Sequence, residues 1–429
     1  MIAPKRFQRS PEVLLPAVLA FLRVSPVLFG VSVLLGAGQL EAQEPAAETR
    51  GEILLRKRRE KAESLSPYTI TKAEARVKGF EDARFPQKIL QKGWRGFRPV
   101  IGGMPSGSGT VLGGGYIRGL ENEYFQFQVN GRWSTKGYTM ADGEFVIPPP
   151  QVGRRIELKV RGEYRDLTSL RFYGLGNDSN VDNQSTYLLN DQSVTGFFWL
   201  NPRGLLSLGA MGGFVRTRTD SGDADRSIEE VFDPADVPGF QDPRTEFGFT
   251  GGWVEFDIRD KWEDPPIGIV ARVTGSRYED TGLSLYDFTR VVGDLKGYVP
   301  LGSRNRVLAL RFRTSHSLPD DGKQVPFYLM ETLGGAKDIR GFREYRFRDT
   351  RNLLVSAEYR WEVWSYVDFS FFFDAGKVFR DASEFNFDKM HTGYGFGLRA
   401  HAPPNFVLRF DLAKSTEGFR FHVSGGPSF

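Results

Sequence analysis

From about residue 97 onward, hydrophobic and polar residues alternate along segments that turn-forming residues separate. The clearest segment has an apolar face formed by Leu353, Val355, Ala357, Tyr359 and Trp361. Its opposite face is formed by Leu354, Ser356, Glu358, Arg360 and Glu362. Because successive side chains of a β-strand point to opposite faces, this alternation predicts strands with one apolar and one polar face.

The next segment repeats the pattern with more aromatic residues. Its apolar positions are Phe369, Phe371 and Phe373, and its other face is formed by Asp368, Ser370, Phe372 and Asp374. A charge facing lipid near the bilayer midplane would cost ~2–4 kcal/mol, so the charged faces must line a wet interior. The alternation therefore predicts an all-β fold, a transmembrane antiparallel β-barrel with lipid outside and water inside.

The lengths of the connections predict the number of strands. Short connections at 201–203, 261–266 and 300–303 alternate with long ones at 219–245 and 315–351, as periplasmic turns and outer loops do. Ten strands can be counted back from the connection at 315–351, starting at Gly109–Arg118, and one more near Arg95–Met104 restores the parity. Five strands follow, so we predict about sixteen strands over residues 97–429, an even number as bacterial barrels require.

The N-terminal region predicts export. Residues 1–42 combine a basic start, an apolar run at Val24–Gly36 and a small residue at Ala42, which is typical of a signal peptide. The alternative is a membrane-spanning helix over Val13–Gly36, but Arg23 and two prolines interrupt that stretch. With the barrel pattern, the signal peptide predicts location in the bacterial outer membrane.

Residues 43–96 are predicted to form a short basic periplasmic segment. Residues 50–98 contain 14 Lys or Arg and 6 Asp or Glu, a net charge of +8, whereas the whole chain carries +4. The stretch Arg50–Leu65 predicts one helix, although its apolar residues form a poor stripe. The segment is either a solvated tether or a contact with anionic lipid head groups.

The composition excludes several kinds of chemistry. The chain has no cysteine, which excludes disulfides, zinc–thiolate sites and cysteine nucleophiles. No glycine-rich turn leads into a helix that would bind phosphate, and no Gly-x-Ser-x-Gly occurs in a strand–turn–helix context. A hydrolase stays a distant alternative, because His422 lies beside serines on a polar strand face. We predict no enzyme, no cofactor, no metal site and no nucleic-acid partner.

Several separated motifs point to a known family. They are LGGAKDIRGF at 333–342, NLLVSAEYRWE at 352–362, FFFDAG at 371–376, GYGFGLRA at 393–400 and FRFHVSGGPSF at 419–429, with RFYGLGNDS at 171–179. Over roughly residues 97–429 the chain resembles the BamA/TamA-type outer-membrane barrel-assembly superfamily, also called the bacterial surface antigen family. The resemblance implies a protein that assists insertion or translocation of polypeptides, with outer-membrane lipid and unfolded outer-membrane proteins as partners.

The resemblance also implies a functional site. In that family the loop bearing the Arg-Gly-Phe motif, here Arg340, Gly341 and Phe342, folds back into the barrel and its arginine pairs with acidic residues of the wall. Carried over to this sequence, Arg340 would contact Glu358 and Asp374, which the alternation independently places on the lumenal face. The alternative is that Arg340 lies in a solvated outer loop with no partner.

The chain departs from the family pattern before the barrel. Family members usually carry periplasmic POTRA domains there, and residues 43–96 hardly accommodate one. A separate periplasmic partner is therefore expected if the chain handles polypeptides. The alternative function is a gated or passive outer-membrane pore, in which inward arginines tune anion passage; the candidates are Arg311, Arg313, Arg399 and Arg409.

The last residues indicate a recognition signal for outer-membrane barrels and one side of a seam. The residues expected to share one face of the last strand are Phe419, Phe421, Val423, Gly425, Pro427 and Phe429. Gly425, Gly426 and Pro427 weaken hydrogen bonding there. Similar residues occupy the first strand region, namely Gly102, Gly103, Pro105, Gly107 and Gly109. The junction of first and last strands is either a lateral seam that opens toward lipid, as the resemblance implies, or a curved part of the wall.

Overall fold

The computed structural model describes residues 50–64, 93–119, 124–147, 155–202, 204–224, 226–240, 242, 244–260, 265–364, 367–402 and 406–429. The predicted signal peptide at 1–42 and most of segment 43–96 lie outside the described residues. The described part of that segment contains helix α1 (Arg50–Ser64), which confirms the helix predicted for this stretch. Within the ranges given above, no helix is long and apolar enough to cross a membrane.

Sixteen strands form one antiparallel sheet in which consecutive wall strands are hydrogen-bonded neighbours. They are β1 (Phe97–Ile101), β2 (Val111–Arg118), β3 (Gln126–Ser134), β4 (Thr139–Ile147), β5 (Ile156–Phe172), β6 (Ser185–Leu200), β7 (Leu206–Ser221), β8 (Thr245–Asp257), β9 (Gly268–Asp280), β10 (Phe288–Leu301), β11 (Ser303–Pro319), β14 (Arg351–Trp364), β15 (Val367–Phe379), β16 (His391–Ala402), β17 (Phe406–Ser415) and β18 (Gly418–Gly425). The predicted count of about sixteen is confirmed.

Shorter elements lie in the connections. β12 (Glu331–Leu333) and β13 (Phe347–Asp349) pair with each other inside the β11–β14 connection. Single 3₁₀ turns occur at Val181–Asn183, Ile228–Glu230, Pro234–Asp236, Phe327–Leu329 and Ala382–Glu384. The long connections therefore contain ordered structure that can pack against the barrel.

The wall shows the predicted two-faced pattern. In β15, Phe371 is 53% exposed on the outer face, whereas Asp374 is fully buried on the inner face. Ser356 lies opposite Asp374, and Glu358 lies opposite Phe372. Directly opposed residues of antiparallel strands share a face, so this register places both acids inside. The fold is the predicted antiparallel barrel, with apolar side chains toward lipid and charged side chains toward the lumen.

An apolar core lies at the strand ends that carry the long connections, and residues of those connections contribute to it. Its buried residues are Tyr138, Leu167, Leu170, Phe172, Tyr187, Leu189, Ile228, Val237, Phe240 and Phe327. Arg348 of β13 lies within this core, where its Nη1 donates to the Phe327 carbonyl oxygen over 2.8 Å and its Cζ lies 5.4 Å from the Phe327 ring centroid. The β7–β8 and β11–β14 connections are thereby packed onto the ends of β5 and β6.

The glycines of the first strand region occupy a different place from the one expected. β1 ends at Ile101, so Gly102, Gly103, Gly107 and Gly109 lie in the β1–β2 connection, all with positive φ. The expectation that they weaken the interior of the first strand is wrong. They supply turns, because glycine adopts positive φ without a steric penalty.

The row of lipid-facing side chains expected for the last segment ends at Gly425. Phe419 and Phe421 are largely exposed on the lipid side, as expected. β18 stops at Gly425, Gly426 has a φ of 82°, and the chain then turns inward, so that Phe429 packs on the inner wall beside Tyr298. The prediction that Phe429 shares the lipid-facing row is therefore wrong, because side chains alternate only while the backbone stays extended.

The lipid boundary can be tested with a charge placed at two depths. Leu310 lies on the outer face near the middle of β11, and Leu301 lies on the outer face at the end of β10. We expect Leu310→Arg to lower the free energy of unfolding by ~2–4 kcal/mol and Leu301→Arg by ~0–1 kcal/mol, because the cost of a lipid-facing charge falls toward the interface. Denaturant titration of the protein refolded in lipid vesicles measures both values. Equal costs at the two positions would contradict this placement of the membrane.

Candidate functional site

The β11–β14 connection, residues 320–350, turns back into the barrel. After β12, Gly334 and Gly335 adopt φ values of 114° and 95°, which favour glycine. The backbone N–H of Gly335 donates to the Phe342 carbonyl oxygen over 3.1 Å and closes the turn. This inward loop, residues 333–342, is anchored by a buried cluster of Leu333, Ile339, Phe342, Phe347, Leu354 and Val378. The loop therefore presents Arg340 to the inner wall in one orientation.

Arg340 contacts two carboxylates of neighbouring strands. Its Nε and Nη2 donate to the two oxygens of Asp374 over 2.7 and 2.9 Å, and its Nη1 donates to Glu358 Oε2 over 2.7 Å. The guanidinium carbon lies 3.5 Å from the centroid of the Phe372 ring. Arg340 is 2% exposed, and both acids are fully buried. The planar fork of arginine suits this site, because it binds the two oxygens of Asp374 bidentately, which the compact ammonium group of lysine cannot do.

Glu358 is the most heavily used acceptor of the site. In addition to Arg340, its Oε1 accepts from Arg360 Nε over 2.8 Å and lies 2.6 Å from Arg399 Nη2. Ser428 Oγ lies 2.8 and 2.9 Å from the two carboxylate oxygens. A buried carboxylate needs such compensation, because removing its charge from water costs several kcal/mol.

The backbone of the Arg-Gly-Phe motif contacts the last two strands. Ser415 Oγ in β17 donates to the Gly341 carbonyl oxygen over 2.7 Å, and His422 Nε2 in β18 lies 2.7 Å from the Arg340 carbonyl oxygen. A Cβ on Gly341 would lie 2.6 Å from Ser415 Cβ, so this position excludes any side chain. Gly341 is thus required by close approach and not by a positive φ. The inward loop consequently contacts β14, β15, β17 and β18.

A second set of contacts was not foreseen from the residues. Arg346, near the end of the same connection, donates from Nη1 and Nη2 to the side chain and backbone oxygens of Ser179 over 2.9 and 2.7 Å, and from Nε to Glu417 over 2.5 Å. Asn177 Oδ1 accepts from the backbone of Val378 over 3.2 Å. The RFYGLGNDS motif therefore contacts the β11–β14 connection and β15. The motif itself was the available signal, but alternation does not identify partners more than 160 residues apart.

Of the inward arginines considered for a pore, Arg311, Arg399 and Arg409 are engaged in contacts. Arg311 donates to both oxygens of Asp294 over 2.9 Å. Arg409 donates to Ser424 and to the Ala336 carbonyl oxygen of the inward loop. These arginines position the loop and neighbouring strands instead of standing free along a channel.

The fold and the internally bound loop define a class of outer-membrane β-barrels, and the chain belongs to the Omp85 superfamily. Residues 121–429 match the model of the Omp85 superfamily domain. The structure is similar to that of BamA from Haemophilus ducreyi lacking POTRA domains 1–3, with a TM-score of 0.57 and 17% identity over 78% of this chain and 70% of that one. It is also similar to CdiB from Escherichia coli, with a TM-score of 0.50 and 10% identity over 77% of this chain and 60% of that one. A search of curated protein sequences found no match.

The role of the Arg340 site in stability can be measured by removing its charge. We expect Arg340→Ala to lower the free energy of unfolding by ~3–5 kcal/mol, because Glu358 and Asp374 would remain buried without their shared partner. Arg340→Lys should cost less, since it keeps the charge but loses the bidentate geometry. Denaturant titration in detergent micelles measures these costs.

The matched control is Arg216→Ala. Arg216 is half exposed and pairs with Glu246 over 2.8 Å, so its loss should cost ~0–1 kcal/mol. If Arg340→Ala cost no more than Arg216→Ala, the inward loop would not depend on its arginine.

Proposed function

We propose that this protein resides in the bacterial outer membrane and assists the insertion or translocation of polypeptides there. Membership of the Omp85 superfamily supports the general role, and the strand lengths support insertion in particular. β1 has 5 residues and β18 has 8, whereas β5 and β11 each have 17. A tilted transmembrane strand needs ~9–11 residues, so the wall is too short to match a full bilayer at the two ends of the strand order.

The short strands support the proposal because they are expected to thin the bilayer around them. A hydrophobic wall shorter than the hydrocarbon core is accommodated by local thinning of the bilayer. β1 and β18 are the two ends of the strand order, so thinning would occur at the junction where the barrel closes. A thinned bilayer beside a junction that opens lowers the barrier for an incoming strand. The turn at Gly426 ends β18 at Gly425 and directs Pro427 away from the wall, which favours such an opening because it leaves less of the junction paired.

The proposed partners follow from this mechanism. Outer-membrane lipid contacts the apolar face, and unfolded outer-membrane polypeptides enter at the junction. A separate periplasmic protein delivers them. The inward loop carries the motif of Arg340, Gly341 and Phe342 and is bound to Glu358 and Asp374. Through its contacts with β17 and β18 the loop holds these last strands in place and so controls the opening. The proposal includes no catalytic step.

Depletion distinguishes this function from a pore. We expect depletion of the protein from cells to lower the amounts of other outer-membrane barrels, because their insertion would slow. Quantitative proteomics of isolated outer membranes measures this. A gated or passive pore predicts instead unchanged barrel amounts and stable conductance of the purified protein in planar bilayers. That pair of results would refute the insertion role.

Opening of the junction can be tested with cysteines, because the natural chain has none. Ile101→Cys in β1 is combined in turn with Phe421→Cys and Val423→Cys in β18, all on the outer face. We expect the cross-linked form to lose the ability to accelerate folding of a barrel protein into lipid vesicles, and reduction to restore it. Folding is measured by the heat-dependent migration of the client on gels.

The control pair is Ala271→Cys with Leu295→Cys, which are directly opposed in β9 and β10. This cross-link lies away from the junction and should leave activity unchanged. Undiminished activity of the form locked between β1 and β18 would argue against a lateral opening.

A further inference from the structure

The segment that follows β18 occupies a polar site on the inner wall. In this inturned segment, residues 426–429, Ser428 is 6% exposed. Its hydroxyl donates to the carboxylate of Glu358, whose oxygens lie 2.8 and 2.9 Å away, and accepts from Arg399 Nη2 over 2.8 Å. The Ser428 hydroxyl therefore acts both as a donor and as an acceptor within the protein.

The neighbouring residue occupies an apolar site beside the polar one. Phe429 packs against the buried cluster of Tyr298, Val307 and Ala309 on β10 and β11. Its carbonyl oxygen accepts from the Tyr298 hydroxyl over 3.2 Å, and its ring centroid lies 5.5 Å from Arg360 Cζ. The polar site and the apolar site thus bind Ser428 and Phe429 in a defined orientation. Phe429 and Tyr298 are 131 residues apart along the chain.

The inturned segment and the inward loop share one carboxylate. Ser428 and Arg340 both bind Glu358, from the end of β18 and from the β11–β14 connection respectively. The same loop also contacts β18 through His422 and the Arg340 carbonyl oxygen. Two segments that are not part of the wall are therefore bound to the wall at a single buried charge.

We propose that the Glu358 site binds the inturned segment cooperatively with the inward loop, so that each segment holds the other in place. A cavity of about 590 Å³ lies beside them and is lined by Lys337 and Asp338 of the loop and by Pro427, Ser428 and Phe429. Departure of the segment exposes Glu358 to water in this cavity. A higher local dielectric weakens the attraction between Arg340 and Glu358, so loss of one segment loosens the other.

This coupling deepens the proposed function, on which its biological meaning rests. The end of β18 cannot leave the lumen until Ser428 leaves Glu358, and that step also frees the loop that holds β17 and β18. Because binding free energies couple reciprocally, loosening the loop must also loosen the segment. The test below follows loop exposure and not insertion, so failure of the coupling and failure of the insertion function are distinguishable.

A single-cysteine reporter tests the coupling. Ser415→Cys is introduced in β17, where residue 415 is buried against Gly341 of the loop, and its labelling rate with a water-soluble maleimide reports departure of the loop. In this background we expect Ser428→Ala to raise the labelling rate roughly tenfold or more, as loss of a hydrogen bond to a buried charge implies. Phe429→Ala should raise it as well, because the apolar contacts that hold the segment are lost. Ser428→Thr retains the hydroxyl and should restore slow labelling. Each variant is refolded in detergent, and its folded state is checked by heat-dependent migration.

The matched control is Ser207→Ala in the same background. Ser207 is 2% exposed on the inner face of β7, opposite Glu255, and makes none of the contacts to the inward loop or to Glu358 described above. Its labelling rate should stay close to that of the parent. If Ser428→Ala and Phe429→Ala labelled no faster than Ser207→Ala, the segment and the loop would be independent and the proposal would fail. Should Ser428→Ala not refold, Phe429→Leu applies the same criterion to the apolar site.

The reciprocal arm uses a reporter beneath the segment and leaves Ser428 in place. Ala309→Cys lies in the buried cluster against which Phe429 packs and should label faster when Arg340→Lys is added, because the loop then binds Glu358 less well. Arg216→Lys, at the half-exposed pair with Glu246, serves as the control substitution. Equal labelling with Arg340→Lys and Arg216→Lys would contradict the reciprocity that the coupling requires.

Discussion

The carboxylate of Glu358 is the contact on which the inner architecture depends. A charge removed from water must be compensated by donors at short range, and here three arginines and one serine supply them. Each donor belongs to a different part of the molecule. The need to satisfy one buried charge therefore gathers the inward loop, the wall strands β14 and β16 and the segment after β18 at one place.

Around this site, the division between lipid and water decides where each side chain lies. The outer face of the wall accepts Phe371 and Phe421 because hydrocarbon surrounds it, while the inner face concentrates arginines and acids. The inner charges are not left to bulk water, because the inward loop and the outer connections cover many of them. The result is a barrel whose interior in the region of β14–β18 resembles a polar protein core, held by directional contacts that can break one at a time.

Local pattern explains how much of this could be foreseen. Alternation predicted the wall strands and placed Glu358 and Asp374 on the inner face, and the motif resemblance paired them with Arg340. The contacts of Arg346 with Ser179 and of Asn177 with Val378 were not foreseen, because they join segments far apart in sequence and each involves a residue outside any strand. Phe429 was misplaced for a related reason. The turn at Gly426 breaks the extended backbone, and alternation carries no information beyond such a break.

The sequence by itself determined which face of each strand meets lipid and which meets water. It also determined the approximate number of strands and which charged residues lie inside. It could do so because side-chain direction in a strand is a local property that repeats every second residue. Only the tertiary structure decided that one carboxylate serves both the inward loop and the segment after β18. That choice depends on closure of the sheet into a barrel, which brings β10, β14 and β18 around a common lumen, and no short-range pattern encodes such a meeting.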